Sequence, residues 1–217
     1  EQSAGLLLDF LGRGVLTAED LGRVMGSFGM ELRVRGGSAS AALHERVYRE
    51  LLGDHPYGSP IFPTAEGLGK VAIEQVNAFR EGYMRAGNQF VSLVSPLPEA
   101  EALDLLERLF SDLPAGATSD CPPLPQPGTY REVVDTTQKE GAYLAAGWLL
   151  KEEAPDRLAA LLVASQVLSR RMQQELREKQ GLTYSTGCSV TLIPGGAVAL
   201  ATIGTRGQNL EAAESGL

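Results

Sequence analysis

Between Thr183 and Thr205 the sequence leaves little choice of structure. Two strand-like runs, Thr183–Leu192 and Ala197–Thr205, are joined by Pro194-Gly195-Gly196. Such a junction reads as the tight turn of a hairpin, and hairpin strands pair antiparallel. A helical pattern precedes them. It opens with Pro155, which the first helical turn accepts, continues to about Glu178, and is ended by Gly181. Leu158, Leu161, Leu162, Leu168, Met172 and Leu176 are the side chains expected to face inward. Arg131–Thr137 and Ala142–Leu149 read as two further strands. Helices mixed with hairpin-linked strands imply an α+β fold, a mostly antiparallel sheet packed against helices.

The first half is helical in pattern. Thr17-Ala18-Glu19-Asp20 resembles a capping box, with Asp20 in the place usually held by Glu or Gln. Leu21, Val24, Met25 and Phe28 follow at i, i+3, i+4, i+7, the stripe of an amphipathic helix. Gly29 is expected to stop it, and Glu31–Arg35 alternates like a half-covered strand. A second helix spans roughly Ala42–Leu52, and His55-Pro56-Tyr57-Gly58-Ser59-Pro60 reads as a turn-rich loop. A short helix opens at Thr64, and Ile73, Val76, Phe79 and Tyr83 mark another. Gln89–Ser95 is a strand candidate, and Glu99–Phe110 a helix built on Leu103, Leu106 and Leu109 or Phe110.

Pro114, Pro122, Pro123, Pro125 and Pro127 fall within one short stretch, which cannot join a sheet interior and reads as an extended linker. The expected organisation is a first subdomain over 1–113, a linker over 114–128 and a second subdomain over 129–217. A formal net charge of −8 argues against a nucleic-acid backbone as partner. No apolar stretch approaches the roughly 20 residues needed to cross a bilayer. Glu1-Gln2-Ser3 shows no basic n-region, and a bacterial cytoplasmic location is favoured over the periplasm. Cys121 and Cys188 are read as free thiols.

Three segments together resemble the pitrilysin/insulinase family of inverzincin zinc peptidases, in particular bacterial homologues of mitochondrial processing peptidase. One is Gly53-Asp54-His55-Pro56-Tyr57-Gly58-Ser59-Pro60, followed by Thr64-x-Glu66, a helix ending near Tyr83, and Asn88. Another is Leu103–Leu113 with Phe110-x-Asp112-Leu113-Pro114 at its end. The most specific is Glu175-Leu176-Arg177-Glu178-Lys179-Gln180-Gly181-Leu182-Thr183-Tyr184-Ser185. The resemblance implies that Arg177 pairs with substrate carbonyl oxygens and that the Tyr184 hydroxyl donates to the scissile carbonyl, beside a metal held by the other half. Without it, Arg177 would only complement a helix dipole and Tyr184 would pack on a neighbouring strand.

The chain departs from the family at the metal. An inverzincin carries H-x-x-E-H on a helix, two zinc-binding His with the catalytic base between them. The matching stretch here is Gly5-Leu6-Leu7-Leu8-Asp9, read as a buried helix face. Of the two histidines, His44 lacks a second His at helical spacing and His55 serves the turn. The resemblance therefore implies a non-zinc half, inactive alone. No cofactor is expected in this chain, and zinc is expected in a partner subunit or domain, as a heterodimer or homodimer. The substrates it implies are unfolded peptides that add a strand to a sheet edge. The competing readings are an inert scaffold of the same fold and an unrelated small-molecule binding domain. The family also places more chain between the first helix and the His55 segment, so residues are expected to be absent near 38–42, and after Leu217.

Overall fold

The structure, a computed structural model, describes residues 5–6, 15–35, 38–126, 141–151 and 154–216. The strand candidate Arg131–Thr137 lies outside these residues, as does most of the Gly5–Asp9 stretch. Of that stretch Gly5 and Leu6 are described, and Leu6 is exposed rather than buried. The chain divides into two compact units, one of residues 1–31 and 63–120, the other of 32–62 and 121–217. The boundary at Asp120 falls inside the Pro-rich stretch, and residues 32–62 group with the C-terminal part.

Helix α1 (Ala18–Arg35), which lies in the first unit as far as Glu31, starts as its sequence dictates. The Thr17 N–H donates to Asp20 Oδ2 at 2.9 Å and the Asp20 N–H to Thr17 Oγ1 at 3.2 Å. These are the two reciprocal bonds of a capping box, with Asp in place of Glu. The helix does not stop at Gly29: it runs on to Arg35, through the residues expected to be a strand. A glycine inside a helix costs only about 1 kcal/mol, and a strand with nothing to pair with gains nothing to offset it. Gln89–Ser95 is corrected likewise. It follows a single 3-10 turn (Ala86–Asn88) as irregular chain, with Phe90 and Val94 over 90% exposed. Among the described residues of this unit there is no strand for it to join.

Three further helices follow among the described residues of the first unit: α3 (Ala65–Leu68), α4 (Ile73–Tyr83) and α5 (Glu99–Phe110). Thr64 caps α3 through Gly67, and Gln75 accepts the Ala72 N–H ahead of α4. On α5, Leu103 points outward and Leu105 takes its place beside Leu106, Leu109 and Phe110. The first part of the Pro-rich stretch is a strap laced to the 3-10 turn. Ala86 N–H bonds Pro114 O, Thr118 Oγ1 bonds Gly87 O, and Ser119 N–H bonds Asn88 Oδ1.

The described residues of the second unit form a three-stranded antiparallel sheet in the order β1-β3-β2, with β1 at Gly141–Lys151, β2 at Thr183–Ile193 and β3 at Gly196–Arg206. The Pro194-Gly195 turn connects β2 to β3, and Gly195 has the positive φ of 81° that a tight hairpin requires. As the central strand, β3 is buried on both faces. Val198 joins Leu149, Ile193, Leu52 and Leu124 in one apolar cluster, and Ala201 and Ile203 join Met172, Leu176 and Ala213 in the other. Alternate residues of one strand thus feed two separate clusters, as the period of a strand requires.

Helix α2 (Ala39–Leu52) covers β1. Val47 and Leu51 lie where a side chain at Gly147 would otherwise stand. Ser38 caps α2, and the Ala42 N–H closes its first turn on Ser38 O at 3.1 Å.

On the other side α6 (Pro155–Met172) runs directly into a π-helical segment, Gln173–Lys179, and a short helix α7 (Leu210–Glu214) follows β3. The inward stripe is Leu158, Leu161, Ser165, Met172 and Leu176, while Leu162 and Leu168 are 40% and 41% exposed. The expected stripe took every leucine as buried. The small Ser165, whose hydroxyl is satisfied by Leu162 O at 2.8 Å, holds the inward place instead.

Candidate functional site

Arg177, Tyr184 and the residues between them form the junction of α6 with β2, all within the second unit. Three backbone irregularities fall in this short stretch. Arg177 belongs to the π-helical segment, where each extra residue rotates the helix surface relative to an α-helix. Met172 and Leu176 are buried at its inner side, which leaves Arg177 exposed. Gly181 then closes the helix in the left-handed region, at φ 64°. Its N–H reaches Arg177 O at 3.2 Å and the Leu182 N–H reaches Leu176 O at 2.9 Å, so the last carbonyls are satisfied.

Tyr184 is the third irregularity. Thr183 pairs with Thr205 and Ser185 with Gly204, neighbours on β3, so Tyr184 is the extra residue of a β-bulge. A bulge re-aims a side chain and tends to occur beside functional sites. The strand start is anchored by Thr205, fully buried, whose hydroxyl donates to Leu182 O. From this anchor the Tyr184 side chain crosses the central strand. A Cβ built on Gly204 would come within 3.0 Å of its ring, and one on Gly141 within 3.3 Å of its hydroxyl. The ring meets Tyr143 of β1 edge-on, with centroids 6.1 Å apart and planes at 87°. Burial, then a hydrogen bond to Tyr143 and that residue's charge, push the Tyr184 phenol up to about 12. Tyr184 remains 47% exposed.

Arg177 makes none of the ion pairs found among the described residues, whereas Glu175 and Lys179 on the same segment pair with each other at 2.6 Å. A guanidinium and a phenol thus stand exposed at the two ends of one helix–glycine–strand connection. Tyr143 and Gly204 escape a sequence reading that looks only along this connection. Their signal lies elsewhere, in glycines within two strands, which mark a close approach.

The histidines do not supply a metal site. His55 is buried and both ring nitrogens are engaged: Nδ1 accepts the Tyr57 N–H at 3.2 Å, so Nε2–H donates to Pro122 O at 2.9 Å. His44 stacks on Tyr48, with centroids 4.7 Å apart. Among the described residues no group of three or more His, Cys, Asp or Glu could hold an ion, and the donors present do not fit a zinc. No helix among them is long and apolar enough to cross a membrane. On the outer face of α6, Leu162, Val163, Gln166, Val167 and Arg170 line an open groove of about 370 Å³, which includes neither Arg177 nor Tyr184.

A family model described as peptidase M16 inactive domain matches residues 70–215, about two thirds of the chain. The chain belongs to this family. As an M16 inactive domain it is related to peptidase halves, and the pitrilysin/insulinase resemblance and the α+β fold both hold. It is 23% identical over 191 residues to an uncharacterised zinc protease of Rickettsia felis, an alignment covering 86% of this chain and 46% of that protein. The chain therefore spans about half the length of the curated relative it matches. In structure it resembles the peptidase M16 inactive domain from Pseudomonas fluorescens, with a TM-score of 0.83 at 20% identity, over 99% of this chain and 54% of that one. It also resembles a protease from Helicobacter pylori, with a TM-score of 0.77 at 19% identity, over 97% and 55%.

Proposed function

We propose that this M16 inactive domain is the non-zinc half of a metallopeptidase and forms one wall of a chamber that a zinc-bearing subunit or domain completes. The observation that carries this reading is the placement of Arg177 and Tyr184, both exposed and each set at a backbone irregularity on a rigid support. Peptide substrate adds to an edge of the sheet, whose edge strands among the described residues are β1 and β2. The Arg177 guanidinium takes substrate carbonyl oxygens, and the Tyr184 hydroxyl donates to the oxygen on which charge develops. Zinc in the partner half would supply the Lewis acid there. This chain binds, orients and donates.

The second reading, an inert scaffold, is favoured by one observation: the Tyr184 ring already packs edge-on against Tyr143 of its own unit. A peptide-cleavage assay separates the two. The chain alone should be inactive and hold no zinc by elemental analysis, while mixing with the zinc-bearing partner should restore cleavage. Tyr184→Phe should lower the kcat of the mixture by on the order of 10²–10³-fold, the loss expected for one oxyanion donor. A mixture no faster than the partner alone, or indifferent to Tyr184→Phe, would decide for the scaffold.

A further inference from the structure

Register places a second arginine on the face of the sheet that carries the Tyr184 side chain. The Tyr184 hydroxyl lies over β1, within 3.3 Å of where a Cβ on Gly141 would stand, and the Tyr143 ring lies 3.8 Å from the same point. Gly141 pairs with Arg206 and Tyr143 with Gly204, so Arg206 and Gly204 share this face of β3. Residues directly opposite in a ladder have Cβ atoms about 4.5–5.5 Å apart. The Arg206 Cβ is therefore no more than about 9 Å from the Tyr184 hydroxyl. Its cross-strand partner is a glycine, so β1 sets no side chain directly opposite it. Arg206 is exposed and makes none of the ion pairs found among the described residues. We propose that Arg206 is a specificity-determining residue of the peptidase: its guanidinium takes the carboxylate of an Asp or Glu side chain within two residues of the scissile bond. This assignment rests on the reading that Tyr184 meets substrate.

The distances select the position. An extended peptide rises about 3.3 Å per residue and returns to the same face at every second one. With its scissile carbonyl at the Tyr184 hydroxyl, the side chain two residues away lies about 7 Å along, within reach of the Arg206 guanidinium. Charge selects the partner. A guanidinium is always protonated, and its planar fork of N–H donors matches the two oxygens of a carboxylate. Enclosed in a chamber without an anion, it would be a desolvated charge with nothing to compensate it. A peptide that brings an acid is therefore favoured there, and one that brings a lysine is rejected. Arg177 cannot discriminate in this way, because in the proposed function it takes backbone carbonyl oxygens, which every peptide has. Arg206 adds selectivity where Arg177 adds affinity alone.

A peptide series in the reconstituted enzyme tests this, with Glu, Gln or Lys placed in turn at each of the two residues on either side of the scissile bond. At one position Glu should be cleaved with a kcat/KM about tenfold above Gln, the worth of one hydrogen-bonded charge pair, and Lys should fall below both. Arg206→Gln should bring Glu and Gln to the same kcat/KM. Arg206→Lys should keep the order with a smaller ratio, and Arg206→Glu should invert it in favour of Lys. An arginine with a merely structural role would change all three peptides alike. No preference for Glu in the parent, or a preference that survives Arg206→Gln, overturns the assignment, and the proposed function stands as long as Tyr184→Phe still lowers kcat. A mixture no faster than the zinc-bearing partner alone overturns the peptidase reading, and the role of Arg206 with it.

Discussion

Gly181 offers a clean test of the helix–strand junction, because substitution there changes conformational energy and nothing else. Its φ is 64°, and a Cβ at this position would meet nothing within 4 Å. Gly181→Ala therefore carries no steric clash, only the roughly 1–2 kcal/mol of an L-residue held in the left-handed region. Restricting the unfolded chain returns about 0.4–1 kcal/mol, leaving a net loss of about 1 kcal/mol. For a chain of this size that lowers Tm by about 2–4 °C. Trp148, the single tryptophan, lies on β1 in the same unit and reports its unfolding by fluorescence. Gly181→Asn should lose less, since Asn tolerates this region. An alanine variant as stable as the parent would refute the left-handed closure. A loss above about 3 kcal/mol would refute the open space around it, because only burial or a clash reaches that size.

Three other outcomes are expected. His55→Ala strips partners from the Pro122 carbonyl and the Tyr57 N–H at a buried site and should destabilise by about 2–3 kcal/mol, read from urea midpoints. Burial holds His44 below its ordinary 6.5, against a weaker opposite pull from Glu45, so the unfolded chain binds the proton more readily. Its contribution is complete above 6.5 and is lost as pH falls below it; His44→Phe, which keeps the stack on Tyr48, should flatten the fall in urea midpoint between pH 7.5 and 5.5. Cys121 is exposed, whereas Cys188 is half-buried with its thiol pushed up by burial, so alkylation near neutral pH should modify Cys121 at least about tenfold faster, as peptide mapping would show.

The elements legible in the sequence are those whose signals are local. Thr17 and Asp20 sit three residues apart and bond each other, so the start of α1 follows from them alone. The β2–β3 hairpin follows from its turn. Where the readings fail, the deciding partner is distant in sequence. Glu31–Arg35 and Gln89–Ser95 have strand-like patterns, but a pattern becomes a strand only when another strand accepts its hydrogen bonds. On α6 the leucines outnumber the inward places. Ser165 goes inside because its hydroxyl is satisfied by the preceding turn, which leaves Leu162 and Leu168 to the surface.

The candidate site divides along the same line. Arg177, Gly181 and Tyr184 lie within eight consecutive residues, so a motif can carry all three. Their neighbour Tyr143 lies on another strand, and Gly204 on a third, brought together only by register. The π-helical segment is hidden differently: Gln173–Lys179 is composed of good α-helix formers, and no residue in it announces a wider turn. What widens it is the end of the helix. Leu176 must reach the cluster of Ala201 and Ile203, while Gly181 must turn the chain so that Thr183 meets Thr205. The wider turn accommodates both demands at once, and it leaves Arg177 on the open side. The same register leaves one residue of β2 over, and that residue is Tyr184. The exposure of both side chains is thus a consequence of fitting this helix to this sheet, and a variant that relieves either irregularity should bury or misdirect the side chain it now presents.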